Sequence, residues 1–583
     1  MVRATFAGFS TALSALQANQ KRLDIIGQNL ANMNTTGYTR QQLETSSLNY
    51  SGSVSHYTNG SDVAVGFGVS MNKVSQIRDP YLDVQYRAQM SKSSYADSMQ
   101  TALDSLSNVL DESEITGIRN AFADIQSTLT NIHDLSSVND PVYESELRSR
   151  MQKLANLLND SAEQISTAQK NEFDRLDGEG SSEQGAIQKV NDILRQIGDL
   201  NVQIKQNQVM GQQSLELQDE RNVLLDELAS YVPIEVSYYK DSEHSGIYTN
   251  PDGTPVKDAN GNPRDRMYEY DSKGNILGKR EWPDDLKVEL VYTATNGKTE
   301  RLTLVNGSEG GKGMNYGRLE LADEDARTDP SLAAITFTAA ASTGAAPATT
   351  TASASGSQFR SGSMQASLDM LGKTGDGNKI TGTETVDDVR GYQFYMDKLD
   401  TLAETFANTI NEINKQGIRG GDATNTDPYY LLVNKVYDTD GDPATDSGDK
   451  ITAANIGISK EWINGATHLG TKGDSPNDTA LAMLENMTKA QADLDNKSFA
   501  DYINNTSTIL ANDSNANKTT LTTNVTVLNS IQNSRDSMSG VSMDEEASNM
   551  MAYVSAYNAA SRLMTALDEV LNTLISGTGL VGR

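Results

Sequence analysis

Four histidines, His56, His133, His244 and His468, are the only imidazoles in this 583-residue chain, and they lie far apart in sequence. None falls in an HExxH pattern, so a zinc protease site or a histidine-based triad has little support. Each is read as structural, the usual role of a lone histidine. The chain has no cysteine. That removes disulfides, thiolate nucleophiles and Cys-ligated zinc together. No GxxxxGK phosphate loop and no GxGxxG after a strand is present. One acidic stretch has cation-binding chemistry. DTDGDPATDSGD, residues 438–449, places Asp438, Asp440 and Asp442 at alternate positions, a spacing that suits a hard cation such as Ca²⁺. Gly441 comes one residue too early for an EF-hand, Pro443 stands where its glycine belongs, and the loop ends in Asp449 rather than Glu. The segment is read as a solvated turn, with a weak metal site as the alternative. No cofactor is expected, and no enzymatic activity.

What remains is composition and pattern. The formal net charge is -30, which repels phosphate backbones and anionic lipids. Neither nucleic acid nor membrane is expected as a partner. Hydrophobic residues make up 37% and mean hydropathy is -0.51, which points to long amphipathic helices with much polar surface. No stretch approaches the roughly 18–20 apolar residues of a membrane span. MVRATFAGFSTALSALQANQ has no compact apolar core before a small-residue cleavage site, so no cleaved signal peptide is expected.

Apolar periodicity then places the elements. Phe6, Phe9, Leu13, Leu16, Leu23 and Leu30 follow a 3,4 alternation, broken at Gln20 and Gly27. At the other end Met550, Tyr553, Tyr557, Ala560, Met564, Leu567, Leu571 and Leu574 keep that spacing unbroken. Such a stripe calls for a supercoiled partner helix. Ser542 is the candidate N-cap and Glu545, three residues on, completes a capping box. Further amphipathic helices carry Met99 to Leu110, Leu147 to Ile165, Ile187 to Ile204, Leu217 to Leu228, Leu399 to Ile413, and Leu521, Val525 and Leu528. Between them the character changes. VPIEVSYY reads as a strand, and Asp252-Gly253, Asn260-Gly261, Asn296-Gly297 and Asn306-Gly307 are hairpin dipeptides. The expected fold is mainly α with a β-rich insert. Terminal coiled-coil helices span 1–33 plus 543–583. A helical-bundle rod spans 34–231 plus 366–542, loop-rich over 417–475. An outward β domain covers 232–365.

The stretch NLANMNTTGYTR, residues 29–40, closes the N-terminal helix. Its Asn29, Leu30, Asn32, Thr36, Gly37 and Tyr38 resemble the motif of the bacterial flagellar axial proteins, the family of rod, hook and hook-associated proteins. GYTRQ (37–41), LQDERNVLLDELASYVPIEV (217–236) and SGVSMDEEASNM (539–550) are similar to its hook-associated branch. SMDEE stands where that branch more often has an Asn-Leu-Asp-Glu-Glu form, a conservative change for capping. The resemblance implies a structural adaptor between hook and filament, exported unfolded through the flagellum's own channel and extracellular when assembled. It implies as partners the hook protein, a second junction protein, further copies of the chain in a ring, and an export chaperone on the C-terminal helix. A hook subunit and, more distantly, a secreted Ca-dependent adhesin are the alternatives. Asn29 and Asn32 can bond to backbone where the helix frays. Gly37 permits positive φ, and Tyr38 can anchor the turn. The terminal stripes are expected to lack an intramolecular core and to order only against neighbours.

Overall fold

The computed structural model describes residues 6–48, 68–110, 112–133, 141–178, 184–240, 246–250, 252–266, 268–279, 284–294, 297–307, 315–341, 347–353, 361–375, 389–419, 428–436, 450–470 and 477–578. His56, His244 and the Asp438, Asp440, Asp442 loop lie outside them. The chain opens with α1 (Phe6–Ala31), followed by an antiparallel hairpin of β1 (Gln41–Ser47) and β2 (Val69–Gln76). This hairpin corrects the all-helical reading of that region. QQLETSS is short and polar on both faces, so it carries no alternation to recognise, and its pairing is set from outside the strand.

Asp79 caps α2 (Pro80–Val109), its carboxylate accepting the Tyr81 N–H at 2.9 Å, with Pro80 at the first helical position. α3 (Glu112–His133), α4 (Pro141–Asp177), α5 (Ala186–Val209) and α6 (Leu215–Tyr231) follow. The β region then holds β3 (Ile234–Tyr239), β4 (Tyr268–Tyr270), β5 (Ile276–Lys279), β6 (Asp285–Thr293), β7 (Thr299–Asn306), β8 (Arg318–Leu321), β9 (Ala334–Thr338) and β10 (Thr349–Ser353). Two three-stranded antiparallel sheets form, ordered β3-β6-β7 and β10-β9-β8, while β4 and β5 pair in a separate arm. Gly253, Gly261, Gly297 and Gly307 of the four hairpin dipeptides all have positive φ.

The chain returns through α7 (Ser363–Gly372) and α8 (Tyr392–Arg419). A short pair, β11 (Leu432–Asn434) with β12 (Ile456–Ile458), precedes α9 (Lys460–Asn464), α10 (Asp478–Thr488), the 41-residue α11 (Phe499–Ser539) and α12 (Met543–Thr578).

Two apolar cores result. The first joins α2, α3, α4, α8, α10 and the start of α11 around Phe122, Phe406 and Phe499, whose ring centroids lie 5.4–5.7 Å apart. The described part of 417–475 belongs to it, since Leu431, Leu432, Ile456 and Trp462 are buried there. The second core joins α5 and α6 to both three-stranded sheets, through Ile187, Val190, Leu194, Leu225, Leu228, Leu286, Val288, Leu290, Ile335 and Phe337. So the β layer does not stand apart from residue 232: its covering helices are supplied by 186–231. Helix α7 is the keystone. Ala366 and Met370 enter the first core, whereas Met364, Leu368 and Leu371 enter the second. On its polar face Asp369 accepts from Tyr95 at 2.7 Å and Gln365 at 2.6 Å and pairs with Lys373 at 2.9 Å. Burial raises the Asp369 carboxyl pKa, against the opposing charge of Lys373.

Candidate functional site: the joint between the terminal helices and the rod

At the end of α1 the Asn29 side chain is 1% exposed and acts as a strand edge. Its Nδ2 donates to the Gln41 carbonyl and its Oδ1 accepts the Gln41 N–H, both at 3.0 Å. The Tyr38 hydroxyl donates to that same Oδ1 at 2.9 Å. One amide therefore satisfies both backbone groups where β1 begins, at a site too buried for water to do so. Asn32 covers a frayed helix carbonyl, donating to Gln28 O at 3.0 Å, and Leu30 is half-buried. Gly37 has φ +80°, and a Cβ there would lie 2.2 Å from Val223 Cγ2 on α6. The residue must be glycine both for its backbone and for its neighbour. Thr36 is exposed beside it.

The next two residues fasten the turn to distant segments. Thr39 donates from its N–H and hydroxyl to the two Asp219 carboxylate oxygens, at 3.0 and 2.7 Å. Arg40 donates from Nε to Glu546 at 2.7 Å and from Nη1 to Glu545 at 2.8 Å, while its N–H donates to Ser539 O at 2.9 Å. Ser542 precedes α12, and its carbonyl accepts the Glu546 N–H at 3.0 Å. The Glu545 carboxylate reaches Arg40, a different partner from the Ser542 N–H that a capping box assigns it. GYTRQ, LQDER and SMDEE, about 180 and 500 residues apart in the chain, thus meet at one place.

A shell of ion pairs surrounds this meeting. Asp83 takes both Arg78 and Arg535, and Asp226 takes Arg87 at 2.8 Å and Arg535 at 2.6 Å. Arg535 also lies over the Tyr86 ring, 4.5 Å from its centroid. The cluster ties α2, α6 and α11 together. A cavity of about 260 Å³ opens among Gly37, Tyr38, Tyr86, Asn222, Asp226 and Arg535. Burial, reinforced by Glu216, Asp219 and Glu546, holds the Tyr38 phenol protonated far above its ordinary range. Burial also raises the Asp219 carboxyl, against the hydrogen bonds from Thr39. Burial alone lowers the Arg40 pKa, but Glu545 and Glu546 outweigh it and the net shift is upward. These groups hold fixed charge and hydrogen bonds; nothing among them forms a nucleophile–base pair. Among the described residues no three His, Asp or Glu side chains gather to hold a metal. His468 Nδ1 faces Glu144 at 3.3 Å, in a contact that also takes the Trp462 indole N–H.

Beyond the joint, α1 and α12 pack on each other within the chain. Ala12, Ala18, Ile25 and Ile26 of α1 and Ala560 of α12 are buried. Phe9, Leu16, Leu23, Met550, Tyr553, Tyr557, Met564, Leu567 and Leu571 are half-buried. Leu567 packs on Gly8, and Arg22 lies over the Tyr553 ring at 5.2 Å. The expectation of stripes without an intramolecular core is corrected: each is the other's partner. Leu13 is 46% exposed, because Ala12 rather than Leu13 turns inward, and Leu574 is 53% exposed. The Phe6 side chain is outside the described set. A second stripe flanks the first on α12. Ala552, Ala556, Ala559, Leu563, Ala566 and Val570 repeat the 3,4 spacing, and all are exposed.

Comparison with known proteins follows the same geometry. Residues 9–39 match the family described as "Flagella basal body rod protein". Residues 103–264 match "Flagellar hook-associated protein FlgK helical domain", and 532–577 match "Flagellar basal body rod FlgEFG protein C-terminal". The chain is similar to Flagellar hook-associated protein 1 of Bacillus subtilis, 28% identical over 99% of both chains. It is 24% identical to the Escherichia coli protein of that name, over 97% of this chain and 99% of the relative. A solved structure of the flagellar hook junction protein FlgK from Burkholderia pseudomallei shares 18% identity, with a TM-score of 0.38, covering 60% of this chain and 46% of that one. At that score the likeness carries no argument. The first and last family matches fall on the two terminal helices, and the middle one includes Asp219.

Proposed function

We propose that this chain, similar along its whole length to proteins of the hook-associated protein 1 family, is the structural adaptor between hook and filament, working by helix packing without catalysis. The observation that carries this reading is the joint, where Arg40 locks the start of α12 to the turn after α1 and Thr39 sets that turn against α6. A pair of terminal helices held at a fixed angle to a rod is what a stacked tubular assembly requires of each subunit.

The exposed second stripe of α12 is the surface that meets neighbouring copies, because the first stripe is already occupied by α1. Charge supports this division of labour. Residues 1–40 hold four Lys/Arg and one Asp, and residues 511–583 hold four Lys/Arg and seven Asp/Glu. Together they are neutral, so the formal -30 resides on 41–510. Copies can then pack closely along neutral helices while their acidic heads face outward. In this reading the partners are the hook protein, a second junction protein and further copies in a ring, with an export chaperone on α12 beforehand. The assembled chain is extracellular, exported through the flagellar channel. The terminal pair 1–33 plus 543–583 lines the inner tube, and the β layer within 232–365 points outward.

Deletion of the gene tests this directly. Electron microscopy is expected to show bare hooks, with unpolymerised flagellin in the medium. Missing hooks would shift the chain to the hook or rod, and normal filaments would overturn the reading.

A further inference from the structure

Helix α11 changes character along its length. Phe499, Tyr502, Ile503, Thr506 and Leu510 are buried in the first core, and no residue of α11 past Leu510 is buried. From there it lies antiparallel along α2, through Ser514, Asn517, Leu521, Asn524, Leu528, Ile531 and Arg535 at 3,4 spacing. Val525, which the apolar pattern groups with Leu521 and Leu528, is 38% exposed, and Asn524 faces α2 instead.

The seam is polar. Gln100 Nε2 donates to Ser514 Oγ at 2.9 Å, and Asn517 Nδ2 donates to Ala96 O at 2.8 Å and Gln100 Oε1 at 3.1 Å. Gln89 Nε2 donates to Asn524 Oδ1 and to Asn524 O, both at 3.1 Å. Amides at such positions fix register while weakening adhesion, because water replaces their bonds readily on separation. The helix is also weak in itself. Residues 511–535 hold six Asn, five Thr, three Ser and two Val. These are poor helix formers, since their side chains compete for backbone or lose χ1 freedom. Thr519, Thr520, Thr522, Thr523 and Thr526 each donate to the carbonyl four residues back, a bond that softens and bends a helix. Both ends are nonetheless pinned. Asp513 accepts Arg390 at 2.8 Å above, and Arg535 enters the Asp83 and Asp226 cluster below.

We propose that residues 514–534 of α11 form a releasable strap. The segment leaves α2 and loses helix as one unit while the head core and the joint stay folded. The terminal helices thereby gain play relative to the head, which an adaptor facing unlike neighbours on its two sides requires. That use rests on the adaptor reading; the opening itself does not.

Native-state hydrogen exchange on the full chain tests it. Amides of 514–534 are expected to exchange together, at least about 100-fold faster than those of 499–510 and of α2 between Tyr86 and Leu103. The double variant N517L/N524L, which replaces the two seam asparagines by apolar side chains, is expected to bring 514–534 to within about 10-fold of α2. A second variant, T519A/T522A/T526A, touches only the exposed face and is expected to slow the same exchange. Equal protection of 514–534 and 499–510 in the unaltered chain overturns the strap, and so does exchange unchanged in both variants.

Discussion

Asn29 performs the work of a missing strand, and Arg40 joins the turn after α1 to α12 through its guanidinium and to the end of α11 through its N–H; at this scale the joint is a set of single-residue requirements. Gly37→Ala forces a left-handed backbone on a residue with a Cβ and drives that atom into Val223. The backbone alone costs about 1–2 kcal/mol. Denaturant unfolding of the purified variant should show at least that loss, and Val223→Ala should restore the steric part only. A Gly37→Ala chain as stable as the parent would falsify the glycine requirement. Arg40→Ala leaves Glu546, 2% exposed, without its cation. Stranding a buried carboxylate costs about 3–5 kcal/mol, less where water reaches the cleared site. Glu546→Gln in the Arg40→Ala background should therefore recover stability. Additive losses in that double-mutant cycle would mean that the two side chains do not act as a pair.

At the scale of the element, the two stripes of α12 have separable duties. Leu567→Asp or Leu571→Asp puts a charge into the contact with α1. Trypsin should then cut at Lys21, Arg22 and Arg562 about 10-fold faster or more, because the local opening that exposes these sites costs less, while the head remains resistant. Leu563→Asp with Val570→Asp alters only the exposed flank. That chain should keep the parent's proteolysis pattern as a monomer and fail to incorporate into flagella. Incorporation at the normal level would move the copy contact elsewhere. The arm carrying β4 and β5 presents the opposite case. Tyr239 of β3 pairs directly with Asp285 of β6, so the chain ends flanking the arm are already side by side. Replacing 241–283 with a two-residue turn should leave the unfolding temperature within about 4 °C, since no described residue of that segment belongs to either core.

For the whole molecule, charge partition governs association. Repulsion among heads carrying the formal -30 is screened as salt rises, with a Debye length of about 10 Å at 0.1 M. Sedimentation should show self-association increasing with ionic strength. Association that weakened with salt would point to attractive ionic contacts between copies. Helix α7 sets a second whole-molecule property. Because its ten residues complete both cores, the rod and the β layer should unfold in one transition. Two resolved calorimetric peaks would contradict that coupling.

The sequence by itself determined the long amphipathic helices, the glycine turns of the β region and the flagellar axial motif. Those signals are local: periodicity, turn dipeptides and caps act over a few residues, so each segment states its own preference. Tertiary structure decided the rest. Only the fold brings Arg40 to Glu545 and Glu546, Thr39 to Asp219, and Arg535 to Asp83 and Asp226. Only the fold turns Ala12 inward in place of Leu13, assigns α5 and α6 to the sheets, and pairs β1 with β2. A side chain's hydrogen-bond partner hundreds of residues away leaves no periodic trace in its own neighbourhood. The pattern therefore announced which helices exist, while packing chose which stripe of α12 faces a helix of this chain and which stays exposed.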